Sequence, residues 1–153
     1  MSDESMKARD VMTPKPACGL ASTPLQEIAK MLIENDCGAI PIVADGKSRK
    51  PVGIVTDRDI ACRAVAEGKN ASRLSAADCM SSPCLTTGEE TSLEDCCRLM
   101  EANRVRRLVI VDESGKCTGI VSQADVALRA PESKTGEVVR RVSQPTASAS
   151  GLS

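Results

Sequence analysis

The stretch GIVTDRDI at positions 53–60 recurs as GIVSQADV at 119–126. Both copies carry a hydroxyl and, three residues on, a carboxylate: Thr56 with Asp59, and Ser122 with Asp125. A hydroxyl at a helix start, with free backbone N–H groups behind it, makes an anion site. A carboxylate one turn further on can accept two hydrogen bonds from ligand hydroxyls. The glycines, Gly53 and Gly119, let a backbone approach closely. The same four-residue pattern is also a capping box, in which the hydroxyl and carboxylate serve only their own helix. The other two helix starts offer a comparison. Their third residue is Gln26 or Glu94, whereas both GIV helices use Asp, a methylene shorter. That contrast favours binding over capping alone, and the hydroxyls can do both in different ligation states.

These residues must be held by a repeated unit. An offset of 68 aligns residues 11–43 with 79–111, and an offset of 66 aligns 53–64 with 119–130. The two extra residues fall within ADGKSRKP, where a hairpin loop accommodates them. The first long helix is expected to start with Thr23 as N-cap, Pro24 at the first position and Gln26 at the third, with Thr91 and Glu94 matching in the second copy. Leu25, Ile28, Ala29 and Leu32 form its apolar stripe; Leu93, Cys96, Cys97 and Met100 form the second. AIPIV or RLVIV then reads as a strand, a Gly- and charge-rich turn follows, and PVGIV or CTGIV reads as the next strand. A helix from Asp57 to about Glu67, stopped by Gly68, closes the first unit. The fold class is α+β, with strand-helix-strand-strand-helix in each unit. One unit of roughly 55 residues buries too little alone, so two pack through their sheets with helices outside. The expected boundaries are a tail at 1–8, unit one at 9–64, a connector at 65–76, unit two at 77–130, and a largely flexible tail at 131–153 with a possible short helix over 135–143.

Composition excludes several classes. The chain has no His, so the commonest general base and metal ligand is missing. It has no Phe, Tyr or Trp, so a bound base must be gripped by aliphatic side chains, and single-strand stacking platforms are disfavoured. The net charge of −1 gives no general attraction to nucleic acid or anionic membrane. No apolar run approaches the ~20 residues of a membrane span. The N-terminal MSDESMKARD has no apolar signal region, which makes a cytoplasmic location the expectation. No P-loop, GxGxxG, CxxC or nucleophile–base pair supports an enzyme.

Eight cysteines raise the question of metal or disulfide chemistry. The repeat register answers for most of them. Cys96 aligns with Ile28, Cys97 with Ala29, Cys37 with Val105, Cys79 with Val11 and Cys62 with Leu128, all apolar positions where Cys acts as a small hydrophobe. Cys117 aligns with Pro51 at a strand start, while Cys18 and Cys84 lie in the extended lead-in segments. Structural cysteines are the reading this favours, with a redox or metal role as the alternative.

DVMTPKP and DCMSSP at the unit starts, IPIV and RRLVIV in the middle, and GIVTDRDI and GIVSQADV at the ends together resemble a tandem pair of cystathionine-β-synthase (CBS) domains, a Bateman module. The resemblance covers about residues 8–130 and is closest to the stand-alone bacterial type. It implies a regulatory module that binds an adenosine-containing ligand, AMP, ADP, ATP or S-adenosylmethionine, in clefts between the paired units, with no required cofactor. Thr56 and Ser122 would contact phosphate, and Asp59 and Asp125 the ribose hydroxyls. Backbone at Ala39, Ile40, Arg107 and Leu108 would line the clefts, as would the lead-in segments near Ala17–Cys18 and Leu85–Thr86. Arg58 is in reach of a phosphate, and Arg104, Arg106 and Arg107 are a cluster suited to polyphosphate. The Thr56/Asp59 cleft is favoured, because repeat two has Ala124 where repeat one has Arg58. A homodimer is implied, read by an unidentified protein partner; the alternative is a structural or adaptor homodimer without a nucleotide.

Overall fold

In the computed structural model, residues 6–129 are described. The expectations for the 131–153 tail, including its short helix, lie outside the described residues. The first half runs α1 (Ala8–Val11), β1 (Thr13–Pro14), β2 (Gly19–Leu20), α2 (Leu25–Glu34), β3 (Ala39–Val43), β4 (Pro51–Thr56) and α3 (Asp57–Ile60). The last helix continues as a π-helical turn, Ala61–Val65, and ends at Gly68 with φ +72°, the left-handed stop that glycine permits. A 3-10 turn, Ala71–Arg73, leads to α4 (Ala76–Cys79), β5 (Thr86–Gly88), α5 (Leu93–Asn103), β6 (Arg107–Val111), β7 (Cys117–Ser122) and α6 (Gln123–Arg129).

Each unit thus has the expected strand-helix-strand-strand-helix order. One sheet is β2-β3-β4, parallel then antiparallel; the other is β1-β7-β6-β5. The lead-in segments are exchanged. Thr13 and Pro14 pair with Ile120 and Gly119 in the other unit's β7. Reciprocally, Ser81 bridges Ile54 of β4 through two backbone bonds of 2.8 and 3.1 Å. The short helices cross with them. Ala8 and Val11 of α1 complete the core of Leu93, Cys96, Met100, Leu108, Ile110, Val121 and Val126. Ala76 and Cys79 of α4 complete the core of Leu25, Ile28, Leu32, Ile40, Ile42, Val55 and Ala64. Each fully buried aliphatic in these stripes contributes about 1.5–3 kcal/mol.

A third cluster joins the sheets. Val43 of β3, Val109 of β6 and Cys117 of β7 are buried together, with Cys18, Ile54 and Cys84 packed against them. β3 is buried along its whole length because Ile40 and Ile42 serve one core while Val43 faces the other sheet. The connector is not a loose linker. Leu74 carbonyl accepts the Leu25 N–H at 2.9 Å, and Thr23 carbonyl accepts the Ala76 N–H at 2.8 Å.

Several local expectations are corrected. α2 starts one residue late, with Pro24 at its N-cap, because the Thr23 hydroxyl instead accepts the Leu20 N–H at 2.8 Å. In α5 the N-cap is Ser92, whose hydroxyl accepts the Asp95 N–H at 3.1 Å; Thr91 bonds Thr87 instead. Cys79 and Cys96 are buried, and burial pushes the Cys96 thiol up to about 12. Cys37 and Cys62, expected to be buried, are exposed. Their aligned partners explain part of this: Leu128 is itself 80% exposed, so that helix position faces solvent in both copies.

Candidate functional site

The GIV motifs sit where β4 meets α3 and where β7 meets α6. Both are formed as reciprocal capping boxes. Thr56 Oγ1 accepts the Asp59 N–H at 3.0 Å, and Asp59 Oδ2 accepts the Thr56 N–H at 2.9 Å. Ser122 Oγ accepts the Asp125 N–H at 3.1 Å, and Asp125 Oδ2 accepts the Ser122 N–H at 2.8 Å. The internal comparison that favoured binding does not survive. Ser75 with Asp78 forms the same box at α4, and the Ser92 cap is followed by Asp95, so Asp at the third position is common to this chain's helix starts. The N–H groups expected to be free at α3 are also engaged. Asp57 N–H donates to Gly38 carbonyl at 3.2 Å, Arg58 N–H to Asp57 Oδ1 at 2.8 Å, and Asp59 N–H to Thr56.

Both glycines are architectural. A Cβ on Gly53 would lie 2.9 Å from the Ser81 carbonyl, and one on Gly119 would run into the Met12 side chain. The backbone that approaches closely is therefore the exchanged lead-in segment. That exchange brings in a residue the sequence reading missed: Ser81 Oγ lies 3.4 Å from Asp59 Oδ1. The signal was present, since the 68-residue offset puts hydroxyls at both Thr13 and Ser81.

Around Thr56, the geometry is asymmetric in a useful way. Ala39 is paired with Thr56 across β3 and β4. β2 pairs with β3 only at Ile42 and Val43, so the other edge of β3 at Ala39 and Ile40 has no strand partner among the described residues. Arg107 and Leu108 occupy the matching edge of β6, where β5 pairs only from Val109 onward. The side chains of Ile40 and Leu108 are fully buried in the two cores and their backbone groups face β4 and β7, so the backbone open at each edge is that of Ala39 and Arg107.

The arginines separate. Arg104 ends α5 in the left-handed region at φ +54° and is exposed, as are Arg106 and Arg58. Arg107 is half-buried and turns across the interface. Its Nη2 would lie 2.5 Å from a Cβ on Gly38, so the missing side chain at Gly38 makes room for the guanidinium. Arg107 from unit two thus lies beside Gly38 of unit one, whose carbonyl is the acceptor for the first N–H of α3.

Two open depressions lie elsewhere. One, of about 330 Å³, is bordered by Lys50, Pro51, Cys84 and Thr86; the other, of about 630 Å³, by Glu89, Glu90, Asp112 and Glu113. Neither includes Thr56, Asp59, Ser122 or Asp125. Among the described residues, no group of three or more His, Cys, Asp or Glu side chains comes together as a metal site. No helix among them is long and apolar enough to cross a membrane.

Comparison with known proteins agrees with this architecture. The chain is 36% identical over 118 residues to the uncharacterised protein MK0525 of Methanopyrus kandleri, covering 77% of this chain and 57% of that one. It is 30% identical over 143 residues to hypoxic response protein 1 of Mycobacterium tuberculosis, covering 94% and 98%. A crystal structure of that protein with two coordinated zinc ions superposes with a TM-score of 0.72 at 29% identity, over 82% of this chain and 100% of that one. CBSX2 of Arabidopsis thaliana in complex with AMP superposes with a TM-score of 0.68 at 27% identity, over 80% and 94%. The CBS domain pair of MJ0100, in complex with 5'-methylthioadenosine and S-adenosyl-L-methionine, superposes at 0.72 with 26% identity, over 80% and 94%. The CBS domain family model matches residues 8–64 and 76–132, and with both copies matched on this fold the chain belongs to the CBS-domain family as a tandem pair of CBS domains.

Proposed function

We propose that this protein is a regulatory, non-catalytic module that binds an adenosine-containing ligand in the cleft between its two units, with Thr56 and Asp59 at the working site. The observation that carries the reading is the Arg107 guanidinium of unit two beside Gly38 of unit one, whose carbonyl accepts the first N–H of α3. An AMP-like ligand needs three contacts. Arg107 and Thr56 supply the phosphate contacts, Asp59 the ribose acceptor, and the unpaired β3 edge at Ala39 supplies backbone groups for the base. Two structural relatives whose complexes hold AMP, or methylthioadenosine and S-adenosylmethionine, support that ligand class. The zinc ions of the mycobacterial relative are not carried over, because no three His, Cys, Asp or Glu side chains come together as a metal site among the described residues.

Ligand entry replaces bonds rather than filling vacancies. The Thr56 hydroxyl and the Asp59 carboxylate are both in use as caps. Engaging them would loosen the first turn of α3, whose continuation is the π-helical segment Ala61–Val65. That gives a route from occupancy to the outer helix face, where Val65 is 67% exposed and available to a second copy or a partner.

Thermal unfolding followed by circular dichroism tests the ligand class, since the chain has no Trp or Tyr to report by fluorescence. At ligand near 100 times its Kd, linkage gives about 2.7 kcal/mol of stabilisation. For a chain of this size that is a Tm rise of roughly 5–10 °C. AMP, ADP, ATP and S-adenosylmethionine are the panel, and a flat result with all four contradicts the reading.

A further inference from the structure

The 44–50 hairpin loop, longer by two residues than its counterpart at 112–116, does something the repeat alone does not require. Asp45 carboxylate accepts the N–H groups of Lys47 and Ser48 at 2.8 and 2.6 Å and folds the loop back. Arg49 then takes φ +52°. Its carbonyl accepts the Cys117 N–H of β7 at 2.9 Å, and its Nη2 lies 3.2 Å from Cys18 Sγ. Cys18 Sγ and Cys117 Sγ are 4.0 Å apart. Cys18 comes from unit one and Cys117 from unit two, and they meet in the cluster that joins the two sheets. The repeat offsets put Thr86 and Pro51 at the matching places on the other side, so the thiol pair exists once.

We propose that Cys18 and Cys117 are a redox dithiol that a hydroperoxide oxidises to a disulfide, bonding unit one to unit two across the sheet interface. Half-buried Cys18 is the attacking sulfur, and buried Cys117 is the resolving one. The Cys117 thiol, hydrogen-bonded to Cys18, and the Arg49 guanidinium favour the Cys18 thiolate and lower its pKa to about 7 against the opposing effect of burial. The same contact and burial hold the proton on Cys117. Cys84, the third thiol of the cluster, is pushed up to about 11 by burial and stays inert. The electrons balance. The Cys18 thiolate attacks one peroxide oxygen, the O–O bond breaks, and the leaving oxygen departs as hydroxide or alkoxide. The Cys117 sulfur then attacks the sulfenic sulfur, and its proton leaves with the hydroxyl as water. Forming the bond requires the sulfurs to close by about 2 Å, within reach of side-chain rotation.

The test treats reduced full-length protein with equimolar hydrogen peroxide, blocks remaining thiols with N-ethylmaleimide, and maps peptides by mass spectrometry. A Cys18–Cys117 linked peptide, two hydrogens lighter than the thiols and restored by dithiothreitol, is the expected product. In a Cys117→Ser variant, dimedone captures the sulfenic acid at Cys18. Iodoacetamide alkylation of Cys18 rises with pH through about 7, and Arg49→Met slows it at neutral pH by roughly twofold or more. Three results overturn the proposal. They are a Cys18 thiol left intact while exposed Cys37 and Cys62 are consumed, a Cys18–Cys84 link in place of Cys18–Cys117, and a Cys18 alkylation midpoint at the ordinary thiol value of about 8.5.

Discussion

At Asp59 two roles share one side chain. Its Oδ2 accepts the Thr56 N–H at 2.9 Å, while Oδ1 lies 3.4 Å from Ser81 Oγ. Substitutions can separate the roles. Asn keeps a carbonyl oxygen for the cap but presents an amide where a ribose hydroxyl needs an acceptor. Ala removes both. Asp59→Ala is expected to cost about 0.5–2 kcal/mol in urea unfolding, and Asp59→Asn a few tenths. Equal losses would show that the cap does not hold α3. The four candidate residues were legible in the sequence because hydroxyl and carboxylate recur at a fixed spacing in two copies. How far capping alone accounts for the motif was not legible there. It depended on helix starts that shifted by one residue, from Thr23 to Pro24 and from Thr91 to Ser92, when local turns captured the threonine hydroxyls.

At the scale of elements, the exchanged lead-in segments are the main constraint on each sheet. β4 closes against Ser81 and β7 against Thr13–Pro14, with glycine at each crossing. The two glycines are not equivalent. A methyl at Gly53 meets a carbonyl that is already bonded to the Ile54 N–H, whereas a methyl at Gly119 meets the flexible Met12 side chain. Gly53→Ala is therefore expected to cost about 1–3 kcal/mol, and Gly119→Ala less. The reverse order in chemical denaturation would mean that Met12 is the more rigid wall. β3, β4, β6 and β7 were legible as apolar runs between turn residues, and the hairpin insertion as a change of offset. The exchange was not, because β1 is two residues long and carries no periodicity that assigns it to a distant strand.

On the scale of the whole molecule, two pseudo-equivalent units share one interface but differ across it. Arg107 of unit two reaches Gly38 of unit one, and the thiol pair is present on one side only. The outer helices leave Val65 at 67% and Leu128 at 80% exposure, alongside exposed Cys62. Apolar side chains left in water on matching helices fit a second copy of the chain. By light scattering the wild type is expected to be dimeric and a Val65→Glu, Leu128→Glu variant monomeric. A monomeric wild type, or a variant that stays dimeric, would remove these helices from the interface. The Arg107 crossing was hidden from the sequence, since it depends on the space left at Gly38 by a residue 69 positions away.

Calorimetric titration of AMP and of adenosine into wild type, Asp59→Asn and Arg107→Met tests the central claim most directly. Wild type is expected to bind AMP. Asp59→Asn weakens both ligands tenfold or more, about 1.4 kcal/mol, through the lost ribose acceptor. Arg107→Met weakens AMP by a similar factor and leaves adenosine unchanged, because only AMP carries the phosphate. Undiminished AMP binding by a folded Asp59→Asn variant would contradict the account and leave the duplicated Thr/Ser-x-x-Asp pattern as helix capping alone.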